Sequence, residues 1–125
     1  MVGAKQVYPG PHLDGASLLE LLAGERVTFT AGVPIIWLRL LQELDQAPKA
    51  HDLSSLKTLI VGGSAAPKAL IEAYERRHTL KILHAWGMTE MSPLGTVARL
   101  PSQLAAASEE QQYAFRAKQG IPLPL

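Results

Sequence analysis

The chain has 125 residues, of which 12 are basic and 11 acidic, so its formal charge of +1 leaves no electrostatic footprint for nucleic acid, and the basic residues are dispersed. It has no cysteine, which excludes disulfide staples and thiolate metal sites, and His12, His51, His78 and His84 lack the spacing of a closed zinc site. No charged start precedes an apolar run and no stretch approaches the roughly 20 apolar residues of a membrane span, so the sequence reads as one soluble, cytoplasmic domain. At 47% hydrophobic and 18% charged it is lean in charge for its size, and part of its apolar surface is expected to meet a partner.

In chain order, residues 3–10 read as part of a strand. Asp14 can cap a helix carrying Leu18, Leu19, Leu21 and Leu22 and ending at Gly24. Residues 27–30 alternate β-branched and aromatic types and lead into Ala31-Gly32-Val33-Pro34, a strand followed by a turn. Pro34 suits the first position of a helix in which Trp37, Leu41 and Leu44 recur at helical spacing, before residues 45–48 stop it. The apolar run 58–61 fits a strand buried on both faces and is ended by Gly62-Gly63. Pro67 opens a second helix with Leu70, Ile71 and Tyr74 on one face and Arg76, Arg77 and His78 at its carboxyl end. A third strand over residues 80–83 delivers the chain into His84-Ala85-Trp86-Gly87-Met88-Thr89-Glu90-Met91-Ser92-Pro93, read as irregular. Ser108 and Gln111 form a capping box for a helix ending near Gly120, and residues 121–125 read as an extended, proline-broken tail.

Strand, helix, strand, helix, strand with short connections predicts an α/β fold with a parallel βαβαβ core. Ligands of open parallel sheets bind beyond the carboxyl ends of the strands, and there the topology gathers residues 31–34, 62–66 and 85–90.

Each stretch has two readings. The small residues Gly62-Gly63-Ser64-Ala65-Ala66 let backbone amides approach an anion or a purine, or they form only a tight turn; the Gly-Lys-Ser/Thr ending of a Walker loop is missing. Gly62-x-Ser64-x-Ala66 also approaches a nucleophile elbow, with His78 or His84 as base and Glu72 or Glu75 as acid, although both glutamates and His78 fall on one helix leading away from the serine. Trp37 is either core or the wall of an apolar channel. In the last stretch Trp86 can stack on a flat ring, Gly87 permits close approach, Thr89 offers a hydroxyl and Glu90 a hard oxygen ligand, unless both simply decorate a loop. One carboxylate suffices for magnesium when a nucleotide supplies further oxygens.

Trp86-Gly87-Met88-Thr89-Glu90 resembles the Tyr/Trp-Gly-x-Thr-Glu motif of the adenylate-forming, AMP-binding superfamily. Gly32-Val33-Pro34 with Trp37, and Gly62-Gly63-Ser64-Ala65-Ala66-Pro67, resemble its medium- and long-chain fatty acyl-CoA synthetases, and the likeness covers nearly the whole chain. The resemblance implies that Glu90, helped by Thr89, binds the Mg2+ carried by ATP, that Thr89 also contacts phosphate, and that Trp86 replaces the tyrosine stacked on adenine beside Gly87. It further implies that Gly63, Ser64, Ala65, His84 and Ala85 line the adenine and acyl-adenylate pocket largely through backbone, and that Val33, Trp37, Gly62 and Gly63 line the acyl side. The implied reaction joins a fatty acid to coenzyme A through acyl-AMP. The family's Ser/Thr/Gly-rich phosphate loop with its lysine is not found before Val27, and its ribose-binding aspartate and C-terminal lysine domain are not among these residues. The expectation is therefore an internal piece of the large N-terminal domain, inactive alone, with sheet edges prone to self-association. A non-catalytic folding or interaction module, or one part of a split enzyme, is the alternative.

Overall fold

The computed structural model describes residues 3–48 and 50–123. Helix α1 (Gly15–Gly24) starts where Asp14 accepts the Ser17 amide at 2.9 Å. Strand β1 (Phe29–Gly32) then leads into α2 (Pro34–Gln46), with Pro34 in the first turn, where its missing N–H costs nothing. β2 (Thr58–Val61), α3 (Lys68–His78) and β3 (Ile82–Gly87) complete the βαβαβ unit. A 3-10 turn (Thr89–Met91) closes a hairpin into β4 (Leu94–Val97). A second 3-10 turn (Ser102–Leu104), α4 (Glu109–Arg116) with its Ser108–Gln111 capping box, and β5 (Ile121–Pro122) follow.

The five strands lie in the order β1-β2-β3-β4-β5. The first three are parallel, in register Ala31 to Ile60 and Ile60 to Leu83, and β4 and β5 are antiparallel additions. This is the α/β class expected, with a parallel core at its amino-terminal half. Right-handed crossovers between adjacent parallel strands put α2 and α3 on one face of the sheet. There α1 packs on α2, α2 on α3 and α3 on α4, a single row of helices. Leu59, Val61 and Ile82 point into that layer and join Leu19, Leu40, Ile71 and Tyr74 in the core. Tyr74 is fully buried, and its hydroxyl donates to the Trp37 carbonyl at 2.6 Å, which fixes α3 against α2.

Several expectations need correction, among them the first strand, which spans Phe29–Gly32 rather than residues 27–30 because its limits follow its pairing with Thr58–Val61. The β2 run is not buried on both faces: Thr58 and Ile60 are only half-buried, and Phe29 on the adjoining strand is 59% exposed. Residues 3–10 form no strand, because no described neighbour offers them a ladder. β3 does not stop at residue 83 but runs through His84, Ala85 and Trp86, since β4 folds back and pairs Ala85 with Val97 and Trp86 with Thr96. The carboxyl segment, read as a tail, returns to β4, pairing Ile121 with Val97, while residues 124 and 125 lie outside the described residues. That return ends α4 at Arg116 rather than near Gly120, with the Thr96 hydroxyl donating to the Gln119 carbonyl at 2.5 Å.

At the opposite edge of the sheet from the strand carboxyl ends, the carboxylate of Asp45 joins α2 to α3. It accepts from His78 Nε2 at 2.8 Å and Arg77 at 2.7 Å. The His78 bond, then Arg77, holds its pKa below the ordinary carboxylate value of 3.8. The unfolded chain takes up this proton first as pH falls, so the contribution is complete well above pH 3.8 and is lost on acidification through the lower, folded value. Urea midpoints measured between neutral and strongly acidic pH should therefore fall more gently for Asp45→Asn than for the native sequence. Parallel acid limbs would show that Asp45 is not linked to folding.

Candidate functional site

The carboxyl ends of β1, β2 and β3 do converge. The turn after β2 begins at Gly62, where an added Cβ would lie 3.2 Å from the Ala85 carbonyl, and continues through Gly63, whose φ of +80° needs glycine. A Cβ on Gly63 would lie 3.0 Å from Val33 Cγ1, so this turn touches the segments leaving both β1 and β3. Val33, Gly63, Ser64 and Ala65 are exposed, Gly62 is half-buried and Ala66 is buried. Amide and small side-chain surface is thus presented to solvent at the edge, with apolar Val33 beside it.

The hairpin from β3 to β4 carries the polar groups. Its loop is closed by Met88 N–H donating to Pro93 O at 2.8 Å, Met91 N–H to Met88 O at 3.0 Å and Ser92 N–H to Thr89 O at 3.1 Å. These bonds hold Thr89 and Glu90 on one tight turn, both exposed. Among the described residues no cation pairs with Glu90. Also among the described residues, no three histidine, aspartate or glutamate side chains gather as a metal cage. Glu90 with the Thr89 hydroxyl is therefore a hard-oxygen set that fits magnesium only if further oxygens come from a bound phosphate.

Trp86 lies half-buried, its ring packed where a Cβ on Gly95 would come within 2.7 Å. Gly95 thus gives the indole a floor. The register breaks between Trp86 and Gly87, and a Cβ on Gly87 would lie 2.0 Å from the Pro93 carbonyl. The close approach that Gly87 allows in this structure is to its own hairpin. Gly87→Ala should cost about 1–3 kcal/mol, because the clash is with backbone that the Met88–Pro93 bond holds in place. A urea melt unchanged from the native sequence would remove this role from Gly87.

Two residues expected on the pocket wall have their side chains inside the protein. The ring of His84 is 2% exposed, with Nε2 accepting from Ala66 N–H at 3.4 Å and Nδ1 facing Ala117 O at 3.2 Å. Its carbonyl is taken as well, accepting from Ala98 N–H at 2.8 Å. Trp37 is 3% exposed and donates its indole N–H to Ile60 O at 3.0 Å, with its ring packed against Gly32. It stands behind the β1–β2 edge as core. The elbow reading gains no support from these positions. His84 is committed to Ala66 and Ala117, His78 to Asp45, Glu72 to Lys68 and Glu75 to Arg116, and none reaches Ser64.

The fold and the site define an open α/β domain whose ligand edge joins a small-residue turn to an exposed hydroxyl and carboxylate. The chain belongs to the family of AMP-binding enzymes, whose model matches residues 1–125. It is 49% identical over 125 residues to the long-chain-fatty-acid–CoA ligase of Thermus thermophilus, covering 100% of this chain and 23% of that protein. It is 43% identical over 122 residues to the medium-chain-fatty-acid–CoA ligase of Ectopseudomonas oleovorans, covering 98% of this chain and 22% of that one. Among solved structures, a long-chain-fatty-acid-CoA ligase from Archaeoglobus fulgidus superposes with a TM-score of 0.67 at 25% identity, over 87% of this chain and 21% of its own. An anthranilate CoA ligase in complex with anthranoyl-AMP gives a TM-score of 0.70 at 21% identity, over 93% of this chain and 20% of its own, a likeness of fold. The chain thus spans less than a quarter of the length of the curated relatives it matches.

Proposed function

We propose that these residues form part of the adenylation domain of an ATP-dependent ligase that joins medium- or long-chain fatty acids to coenzyme A. The observation that carries this reading is the 62–66 turn touching Ala85 and Val33 at the carboxyl end of the parallel strands. At that end β3 runs on through Trp86 into the exposed Thr89–Glu90 turn, so that amides, an aromatic ring and a carboxylate stand on the segments leaving one sheet edge. In the reaction a fatty carboxylate oxygen attacks the α-phosphorus of ATP, a new O–P bond forms, and the bond to pyrophosphate breaks. The thiolate of coenzyme A then attacks the acyl carbonyl, a C–S bond forms, and AMP departs with the bridging oxygen of the acyl-phosphate anhydride.

Each group has a part in this reading. The backbone of Gly63, Ser64, Ala65 and Ala85 faces the purine and the adenylate, and Trp86, floored by Gly95, offers a ring for stacking. Gly87 shapes the loop that presents Thr89 to phosphate. Glu90, with Thr89, would hold Mg2+, whose charge when bound offsets that of the polyphosphate facing an anionic nucleophile. Val33, Gly62 and Gly63 border the acyl side, with Trp37 supporting that border from within.

Fatty-acid-dependent exchange of pyrophosphate into ATP by the complete gene product carrying these residues is the direct test. Exchange is expected with medium or long acyl chains, and its absence with every carboxylate tried would overturn the reading. The 125 residues by themselves are proposed not to form acyl-AMP, because they supply no lysine-bearing phosphate loop before Val27; pyrophosphate release by the isolated chain would refute this. The uncovered sheet face with Phe29 exposed supports self-association of that isolated chain, against which a monomer in light scattering at high concentration would count.

A further inference from the structure

His84 is buried, yet in the reading above its ring touches neither nucleotide nor acyl chain. Its partners lie in two different elements. Nε2 is 3.4 Å from the amide nitrogen of Ala66, the last small residue of the turn whose Gly63, Ser64 and Ala65 meet solvent. Nδ1 is 3.2 Å from the carbonyl of Ala117, just past the end of α4. An amide N–H can only donate and a carbonyl can only accept, so one neutral tautomer satisfies both, with the proton on Nδ1 and Nε2 bare.

The far side of this link is itself anchored. Arg116 donates to the Ile82 carbonyl at 3.2 Å, the Thr96 hydroxyl donates to Gln119 O, and Ala98 N–H donates to the His84 carbonyl at 2.8 Å. The carboxyl end of α4 is thereby fastened to β3 and β4, the strands that carry the Thr89–Glu90 hairpin. The ring then ties the 62–66 turn to that same frame. A leucine would fill similar space but leave the buried Ala66 N–H and the half-buried Ala117 carbonyl without this partner.

We propose that His84 is a positioning residue: it fixes the 62–66 turn against β3 so that the amides of Gly63, Ser64 and Ala65 stand ready for the nucleotide. The kinetic part of this inference rests on the ligase reading, and the structural part does not.

The test compares His84→Leu with His84→Gln in the complete gene product. A glutamine amide can accept from Ala66 and donate to Ala117, as the imidazole does. Hydrogen exchange of a peptide spanning residues 62–67, without nucleotide, should speed up about tenfold in His84→Leu and return to within about twofold of native in His84→Gln, while a peptide within α2 is unchanged in both. In pyrophosphate exchange His84→Leu should raise KM for ATP about tenfold with kcat changed much less, and glutamine should restore KM. General destabilisation would instead lower the amount of active protein and leave KM alone. Native exchange at the turn in His84→Leu, or fast exchange in a folded His84→Gln, overturns the proposal. Should His84→Leu not fold, the glutamine variant decides alone, native protection of the turn supporting the role and lost protection ending it. If the native protein shows no ATP-dependent activity, the ligase reading fails while the turn's exchange rates still judge His84.

Discussion

Glu90→Gln should lower kcat for acyl-adenylate formation by about 10²–10³-fold, the loss seen when one preorganised electrostatic contact to a developing charge is removed. The substitution keeps the shape of the side chain and deletes only its charge. Glu90 is exposed on a turn held by backbone hydrogen bonds, and among the described residues no cation pairs with it. Stability should therefore stay within about 0.5 kcal/mol of native, so any kinetic effect is chemical rather than structural. If Glu90 holds magnesium brought by ATP, the variant should also need more magnesium to reach half of its remaining rate, whereas loss of a general base would leave that requirement alone. Pyrophosphate exchange measured across a magnesium titration separates the two. A variant with native kcat and native magnesium requirement would return Glu90 to an ordinary surface charge.

The reach of the sequence differs between core and site, for physical reasons. β2 was legible to the residue because Leu59, Ile60 and Val61 are bounded by glycine and nothing else in the neighbourhood competes for them. β1 was displaced by two residues, since its limits are set by pairing with Thr58–Val61, a contact across the sheet that propensity does not see. Instead Thr28 O accepts from Lys57 N–H, and Val27 N–H closes the end of α1 on Leu22 O. β4 was missed although Leu94-Gly95-Thr96-Val97 carries β-prone types, because four residues opening on Pro93 and interrupted by glycine give a weak local signal. That strand completes the site: it converts an apparent irregular loop into a hairpin, gives Trp86 its floor and dictates Gly87.

Topology alone brought the three site stretches to one edge, since strand direction follows from the order of elements. Side-chain direction did not follow from it. The motifs imply a backbone role for His84 and leave Trp37 open between core and channel wall; in the structure the His84 ring alternates onto the helix-covered face of β3 and Trp37 faces Ile60 across the helix–sheet interface. Their partners, Ala117 and Ile60, lie 33 and 23 residues away in sequence, beyond any periodicity argument.

The largest expected loss of stability follows from Tyr74, which is fully buried where α2, α3 and the sheet meet. Tyr74→Ala should cost about 3–5 kcal/mol through lost apolar contact and the cavity left behind, a large share of the roughly 5–15 kcal/mol available to a small domain. Tyr74→Phe keeps the ring and removes only the hydroxyl that donates to Trp37 O, so about 0.5–1.5 kcal/mol should be lost near neutral pH. The phenylalanine variant also carries a pH signature. Burial, with a smaller contribution from Asp45, pushes the Tyr74 phenol above its ordinary value of 10.0. In the unfolded chain that phenol ionises near its ordinary value, so the native protein's advantage is complete below pH 10.0 and is lost as pH rises toward the higher, folded value. Phenylalanine has no proton to lose, and the other tyrosines and the lysines are common to both chains. The stability gap between native and Tyr74→Phe, read from urea midpoints, should therefore be constant below pH 10 and narrow or reverse above it. A gap that stayed constant into strongly alkaline solution would mean that the phenol ionises as readily in the folded protein as in the unfolded chain, and that water reaches it between α2 and α3.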